Sequence, residues 1–314
     1  MNAWLAIDSG GSKSHLMITD EEGMPIQDCF CPGIGLAVDD ESAPLPELMA
    51  QVRQLTKGLC ITRIAANLGG KNENQLRKQL AGMFPEIPVD IFRESSGVLA
   101  NQLGKKYHAN AVVLLGTGVI VNTRGPRGCM ITDGWGSNIG DMGSGYWIGL
   151  EAIRRSLISL EDEPPLSLLA QAVTGRKTPL CPSSLGGHLM AERDAVRGYI
   201  GVPLDRAKTA AYARVAAQYA QDGDKMARKI FSDAGNAIAE TTVRGLKKAG
   251  IKEHASVLVV GGLTNVRNLW EEAFANALIQ SYPDAVYRIE KIDLIQGAVE
   301  YMLSAHHMEE RKND

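Results

Sequence analysis

No stretch of this chain reaches the ~18–20 consecutive apolar residues that span a bilayer, and its start, MNAWLAIDSGG, shows neither a basic leader nor a small-residue cleavage site. A cytoplasmic protein without membrane contact is the expectation. An excess of either charge is also missing, since 33 basic and 36 acidic residues give a net charge of −3. Those charges are spread along the chain, which excludes the basic footprint of a nucleic-acid partner. A small-molecule partner remains. The five cysteines, at 29, 31, 60, 129 and 181, form neither an even disulfide framework nor a CxxC pair. Cys29-Phe30-Cys31 is the one close spacing, both thiols would face the same way on a strand, and buried free thiols are the simplest reading. The six histidines have no ligand-like spacing, and no low-complexity segment or long linker interrupts the sequence. Single cores rarely grow beyond ~250–300 residues, so 314 residues point to two domains joined by a hinge.

What the chain does have is one glycine-rich pattern twice. Residues 4–27 read WLAIDSGGSKSHLMITDEEGMPIQ, an apolar strand, a turn at Gly10-Gly11-Ser12, a second strand, a Glu22-Gly23 turn and a third strand. Residues 111–132 read AVVLLGTGVIVNTRGPRGCMIT, with Gly116-Thr117-Gly118 and Gly125-Pro126 in the corresponding places. Glycine turns between β-rich runs let backbone N–H groups approach an anion, and Ser12 or Thr117 adds a hydroxyl donor. Two such hairpins fit a polyphosphate gripped from both sides.

After the first hairpin unit, helical spacing at 47–57 is followed by a strand at 61–68 ending in Gly69-Gly70, a helix at 72–83 and a strand at 89–92. Glu94 and a helix through Leu103 come next. The second unit runs into DGWGSNIGDMGSGYWIG, then a long helical region at 146–173 interrupted at Pro164-Pro165, a loop at 175–187, and helices at 205–222 and 225–249. Val257 to Val260 is a buried strand ending at Gly261-Gly262, and an amphipathic helix over 294–306 ends the pattern. Strands alternating with helices imply a mixed α/β layer structure.

DSGGSKS, the later GTG, the block GWGSNIGDMGSGYWIG and the terminal VVGG together resemble the BadF/BadG/BcrA/BcrD-type ATPase family. The likeness is strongest to its N-acetylglucosamine kinase branch within the actin-like sugar kinase superfamily. The resemblance implies an α/β protein of two ribonuclease-H-like domains, mixed sheets flanked by helices, that close over ATP and a sugar. The first would cover residues 1–110, with the C-terminal helix 297–314 returning to it, and the second residues 111–296. It further implies Asp8 near Mg²⁺, and Gly10, Gly11, Ser12 and Lys13 as the first phosphate loop. Gly116, Thr117 and Gly118 would form the second. Gly235, Asn236, Gly261, Gly262 and Asn265 fall where the adenosine would lie, and Gly69, Gly70, Gly134, Trp135, Gly136 and Asp141 where the sugar would. The family's catalytic aspartate stands in a D-A-A-G-like segment that here reads Glu94-Ser95-Ser96-Gly97, so the base position is a glutamate. Leu36, Ala37 and Val38 stand where family members carry a sugar-contacting asparagine. A homodimer is expected.

Phosphoryl transfer to an alcohol needs the phosphate charge neutralised, the hydroxyl aligned and its proton accepted by a carboxylate. Asp8 with Mg²⁺, the two hairpins and Glu94 supply these in turn. Glu94 equally suits the cap of the helix after it, because acids favour helix amino termini. Asp141, between glycines, either presents a carboxylate to sugar hydroxyls on an exposed turn or only forms that turn. Trp135 either stacks on a pyranose or fills a core. An ATP-dependent amino-sugar or hexose kinase is thus the leading function. The alternatives are a redox-activating ATPase of the same family, which needs cysteine ligands for an iron–sulfur cluster, and a sugar-sensing regulator without turnover.

Overall fold

The computed structural model describes residues 1–10, 13–34, 45–69, 72–93, 97–162, 165–180, 186–292 and 294–313. The chain divides into two compact units, residues 1–112 with 292–314, and residues 113–291. The first contains β1 (Asn2–Ser9), β2 (Lys13–Thr19), β3 (Pro25–Pro32), α1 (Leu45–Leu55), β4 (Cys60–Leu68), α2 (Glu73–Met83), β5 (Val89–Arg93) and α3 (Val98–Lys106). Its sheet has the order β3-β2-β1-β4-β5. The hairpin strands pair antiparallel, while β1–β4 and β4–β5 are parallel. β1 is central, and Ala3 to Ile7 are all fully buried, as a strand covered on both faces requires. Ala3, Leu5 and Ile7 join a core with Leu48, Met49 and Val52 of α1 and Leu76 and Leu80 of α2. Trp4 points the other way, where Arg63 lies over its ring and His306 meets it edge-on. His306 belongs to α10 (Leu294–Asn313), which presses Gly297 against the Leu99 backbone of α3.

The second sheet is built from β6 (Ala111–Leu115), β7 (Val119–Gly125), β8 (Gly128–Asp133), β9 (Ser256–Val260) and β10 (Val286–Glu290), in the order β10-β9-β6-β7-β8. Counted within its own sheet this is again 3-2-1-4-5, so the sequence repeat at the two hairpins extends to the whole topology and fits the ribonuclease-H-like expectation. Between β8 and β9 run α4 (Gly145–Ser159), α5 (Leu168–Thr174), α6 (Gly186–Ile200), α7 (Arg206–Gln221) and α8 (Lys225–Ala249). A 3₁₀ segment, Gly262–Leu269, and α9 (Glu271–Ser281) separate β9 from β10. Capping explains several boundaries: the side chains of Ser144, Ser167, Asp205 and Asp224 each accept a first-turn N–H, and Gly250 ends α8 at φ 83°.

Several sequence expectations need correction. The helical region 146–173 is not among them: it is two helices, as its Pro164-Pro165 pair implies, each started by its own serine cap. The loop expected over 175–187 already includes the start of α6, whose burial, at Val196 and Ile200, is too sparse to give a clear period. α9, β10 and the 3₁₀ segment carry no strong sequence signal; α9 buries Phe274 and Leu278, four residues apart. Of the thiols expected to be buried, Cys31 is buried and Cys29 half-buried on the side of β3 facing α1, whereas Cys60 and Cys129 are exposed. Cys181 lies outside the described residues. No helix among the described residues is long and apolar enough to cross a membrane.

One close approach sets α7 against α4. A Cβ at Gly149 of α4 would run into the Thr209 carbonyl of α7, a backbone atom that cannot swing aside. Gly149→Ala gains ~1 kcal/mol of helix propensity but incurs an overpacking cost of ~1–3 kcal/mol. We expect its urea midpoint to fall, while Gly82→Ala on α2, where nothing lies within 4 Å, holds or rises. A raised midpoint for Gly149→Ala would contradict the tight α4–α7 contact.

Candidate active site

In the first unit the functional groups collect at the carboxyl ends of the parallel strands, where open α/β sheets bind ligands. Asp8 ends β1 beside Asn67 of β4, and Asn67 Nδ2 donates to Asp8 Oδ1 at 2.7 Å. Asn67 is 1% exposed, and its own Oδ1 has no hydrogen-bond partner among the described residues. The next residue, Ser9, fastens three segments: its Oγ lies 2.7 Å from Ser14 Oγ and accepts from the Ile34 N–H, and its carbonyl accepts from the Gly69 N–H. Gly10 donates to the Lys13 carbonyl at 3.0 Å, closing the hairpin mouth. Asp8, Gly10 and Gly69 are therefore brought together. Lys13 is exposed, its Nζ 5.0 Å from the centre of the Phe30 ring. Gly11, Ser12, Gly70, Glu94 and the 36–38 segment lie outside the described residues.

Magnesium characteristically takes one or two protein carboxylates and completes its shell with water and phosphate. Among the described residues no group of three His, Cys, Asp or Glu side chains could hold a metal ion. The single carboxylate of Asp8 at a strand end therefore fits a phosphate-borne Mg²⁺, not a protein cage.

In the second unit Gly116 donates to the Gly118 carbonyl at 2.9 Å, a tighter mouth than that of the first hairpin. The amino end of α4 is tied to this loop, with Gly145 N–H donating to the Gly116 carbonyl and Tyr146 N–H to the Thr117 carbonyl. A Cβ at Gly116 or Gly262 would meet nothing within 4 Å, so both positions face open space. Gly261 differs: at φ 109° a Cβ would lie 2.5 Å from the Leu115 carbonyl, so a side chain there strains the β6–β9 contact itself.

The GWGSNIGDMGS block folds as a turn organised by Asp133. Its Oδ1 accepts from the Gly134 and Asp141 N–H groups at 2.8 and 2.9 Å, and Asp133 and Asp141 both hold positive φ. Gly134 and Gly136 also sit at positive φ, and Trp135 is 76% exposed. The structure thus settles core against surface for Trp135. Asp141 does not stand on an exposed turn, as the flanking glycines suggest; its backbone turns there, but the residue is 3% exposed. Its carboxylate reaches back to the second hairpin, where Val119 N–H donates to Oδ1 at 3.4 Å and Arg206 Nη2 to Oδ2 at 3.2 Å. Burial pushes the Asp141 pKa up, against the pull of the Val119 N–H and the Arg206 guanidinium.

Of the residues expected near adenosine, Gly235 is buried in α8 against the Trp270 carbonyl and the Phe274 N–H, which gives it a packing role of its own. Trp270 Nε1 donates to the Leu263 carbonyl, linking Gly235 to the 3₁₀ segment that holds Gly261 to Asn265. Asn236, the next residue of α8, is exposed, as is Asn265, which donates to the Gly262 carbonyl at 3.1 Å. Sequence inspection misses Ser9, Asn67, Asp133 and Arg206. The Asp133-Gly134 pair is a turn signal that finds Asp133, but nothing in the spacing of Arg206 connects it to Asp141, 65 positions earlier.

The chain is 22% identical over 317 residues to N-acetyl-D-glucosamine kinase of Dictyostelium discoideum, covering 94% of this chain and 96% of that protein. It is 24% identical over 309 residues to the N-acetylmuramic acid/N-acetylglucosamine kinase of Clostridium acetobutylicum, with the same coverage of each. Among solved structures it superimposes on a putative N-acetylglucosamine kinase from Porphyromonas gingivalis with a TM-score of 0.68 at 17% identity, covering 98% of this chain and 100% of that one. A ROK family glucokinase from Streptomyces griseus, in complex with glucose and AMPPNP, gives a TM-score of 0.58 at 14% identity, covering 96% and 98%. No family model matches the chain. The chain shares the fold of these solved structures, and the likeness runs the length of both chains.

The Asp141 environment has a consequence for stability. A carboxyl whose folded pKa is raised binds its proton more readily in the native state. Its contribution to stability is therefore complete below the unfolded pKa and is lost as pH rises through the folded one. We expect the Asp141 contribution to fall away as pH climbs above ~4, the ordinary carboxylate value. Urea midpoints of the parent and Asp141→Asn between pH 3.5 and pH 7 check it: the parent should lose more stability over that range, and parallel curves would contradict the assignment.

Proposed function

We propose that this protein is an ATP-dependent kinase that phosphorylates an amino sugar of the N-acetylglucosamine class. The observation that carries the reading is the whole-length match to two N-acetylglucosamine kinases. The site chemistry supports it. Asp8, oriented by Asn67, would hold Mg²⁺, which supplies charge neutralisation on the phosphates when bound. The open turn Gly116-Thr117-Gly118 lets phosphate oxygens approach the backbone closely. Adenosine is assigned to Gly262, Asn265 and Asn236, with Gly235 and Gly261 shaping the backbone beneath. Trp135, exposed on the turn that Asp133 organises, offers an aromatic face to the sugar. Glu94 takes the hydroxyl proton as that oxygen attacks the γ-phosphorus, and ADP leaves with the electron pair of the broken bond. A redox-activating role has less support: Cys29 and Cys31 lie on one strand against α1, and both curated relatives are named as kinases. We further propose a cytoplasmic homodimer, an assembly that light scattering would reveal.

A panel of hexoses and amino sugars, scored by ADP release with Mg²⁺ and ATP, tests the function. N-acetylglucosamine or a close relative should lead, and a chain that turns over no sugar would be a regulator. With the best substrate, Glu94→Gln should retain ATP and sugar binding while losing ~10²–10⁴-fold in kcat, the usual cost of removing a general base. Turnover within a few-fold of the parent would mean that another group takes the proton.

A further inference from the structure

Arg206 packs against Gly118, in the loop of the second hairpin. It is the first residue of α7, and the Gly149–Thr209 contact explains how it arrives there. Gly145 and Gly149 lie one turn apart on one face of α4, and Gly145 is bonded to the Gly116 loop. Arg206 and Thr209 lie three apart on α7, so packing Thr209 on Gly149 carries Arg206 back to the same loop. A Cβ at Gly118 would stand 2.8 Å from Arg206 Nη2 and equally 2.8 Å from Asp141 Oδ2.

One edge of the guanidinium is thus held by a buried carboxylate. The Arg206 side chain is 33% exposed, so guanidinium donors that the ion pair with Asp141 does not use can reach a ligand. An anion that reaches those donors gains charge-assisted hydrogen bonds from a cation already held in place. Asp141 belongs to the block assigned to the sugar, and Gly118 to the loop assigned to the phosphates. The group that lies between phosphates and sugar during the reaction is the one that moves.

We propose that Arg206 is a catalytic residue that binds the γ-phosphoryl group of ATP, held in place for that contact by Asp141. The inference rests on the kinase reading above. In the step it serves, the bond from the γ-phosphorus to the bridging oxygen of ADP breaks and a bond to the sugar oxygen forms. The hydroxyl proton passes to the base. Arg206 neutralises charge on the transferring oxygens and exchanges no proton, because a guanidinium stays protonated throughout. Asp141 accordingly acts as a positioning residue for Arg206.

The contact predicts discrimination between two nucleotides that differ by one phosphate. Calorimetric titration of AMPPNP and of ADP, each with Mg²⁺, into the parent, Arg206→Met and Arg206→Lys reads it directly. Arg206→Met should weaken AMPPNP binding ~10–100-fold, the equivalent of one charge-assisted hydrogen bond, and leave ADP within ~3-fold. Arg206→Lys should fall between. If Arg206→Met fails to fold, the AMPPNP-to-ADP ratio of Arg206→Lys decides alone. AMPPNP and ADP weakening together, neither weakening, or sugar affinity alone changing would each overturn the proposal. A parent that binds neither nucleotide would instead overturn the kinase reading on which it stands.

Discussion

Asp141 is buried at a turn where its charge needs donors, and the absence of a side chain at Gly118 is what lets those donors reach it. A methyl group at Gly118 would occupy the space shared by Asp141 Oδ2 and Arg206 Nη2. With hydrogen there, a strand–turn–strand, a glycine-rich turn and the first residue of α7 meet at one point. The rest of the second unit follows from keeping that meeting intact: α4 begins on the loop carbonyls, α7 packs on Gly149, and Asp133 holds the backbone that presents Asp141. A buried carboxylate of raised pKa is costly by itself, and one guanidinium with one N–H only partly offsets the desolvation. Sites that bind charged ligands characteristically carry such a cost.

The two units repeat one topology but not one chemistry. In the first, the strand-end polar group is Asp8, satisfied by Asn67, and the hairpin mouth is closed through Ser9 and Ser14. In the second, β6 ends in Leu115 and Gly116, and the polar groups arrive from outside the sheet, from the turn after β8 and from α7.

Gly235 and Gly261 each meet a packing need apart from the nucleotide contact expected of them. Both positions require glycine because a neighbouring backbone carbonyl occupies the Cβ site. Ligand approach and chain packing leave the same mark on a sequence. Gly116 and Gly262, with open space before them, separate from that pair only once the neighbours are known.

The sequence by itself determined the two hairpin units, the α/β class, the order of most elements and the turn that carries Asp133 to Ser144. Each depends on local rules: a period of two in strands, glycine and serine at turns and caps, aspartate before glycine. It also carried, through motif resemblance, the class of reaction. Only the tertiary structure decided that Asp141 turns inward, that Trp135 stays outside, that Asn67 sits against Asp8 and that Arg206 sits against Asp141. Asn67 meets Asp8 through the register of two parallel strands 59 residues apart, and Arg206 meets Asp141 because α7 packs on a glycine of α4. Neither pairing has a sequence spacing to betray it, since strand register and helix contact are set by the shape of distant neighbours and not by the order of residues along the chain.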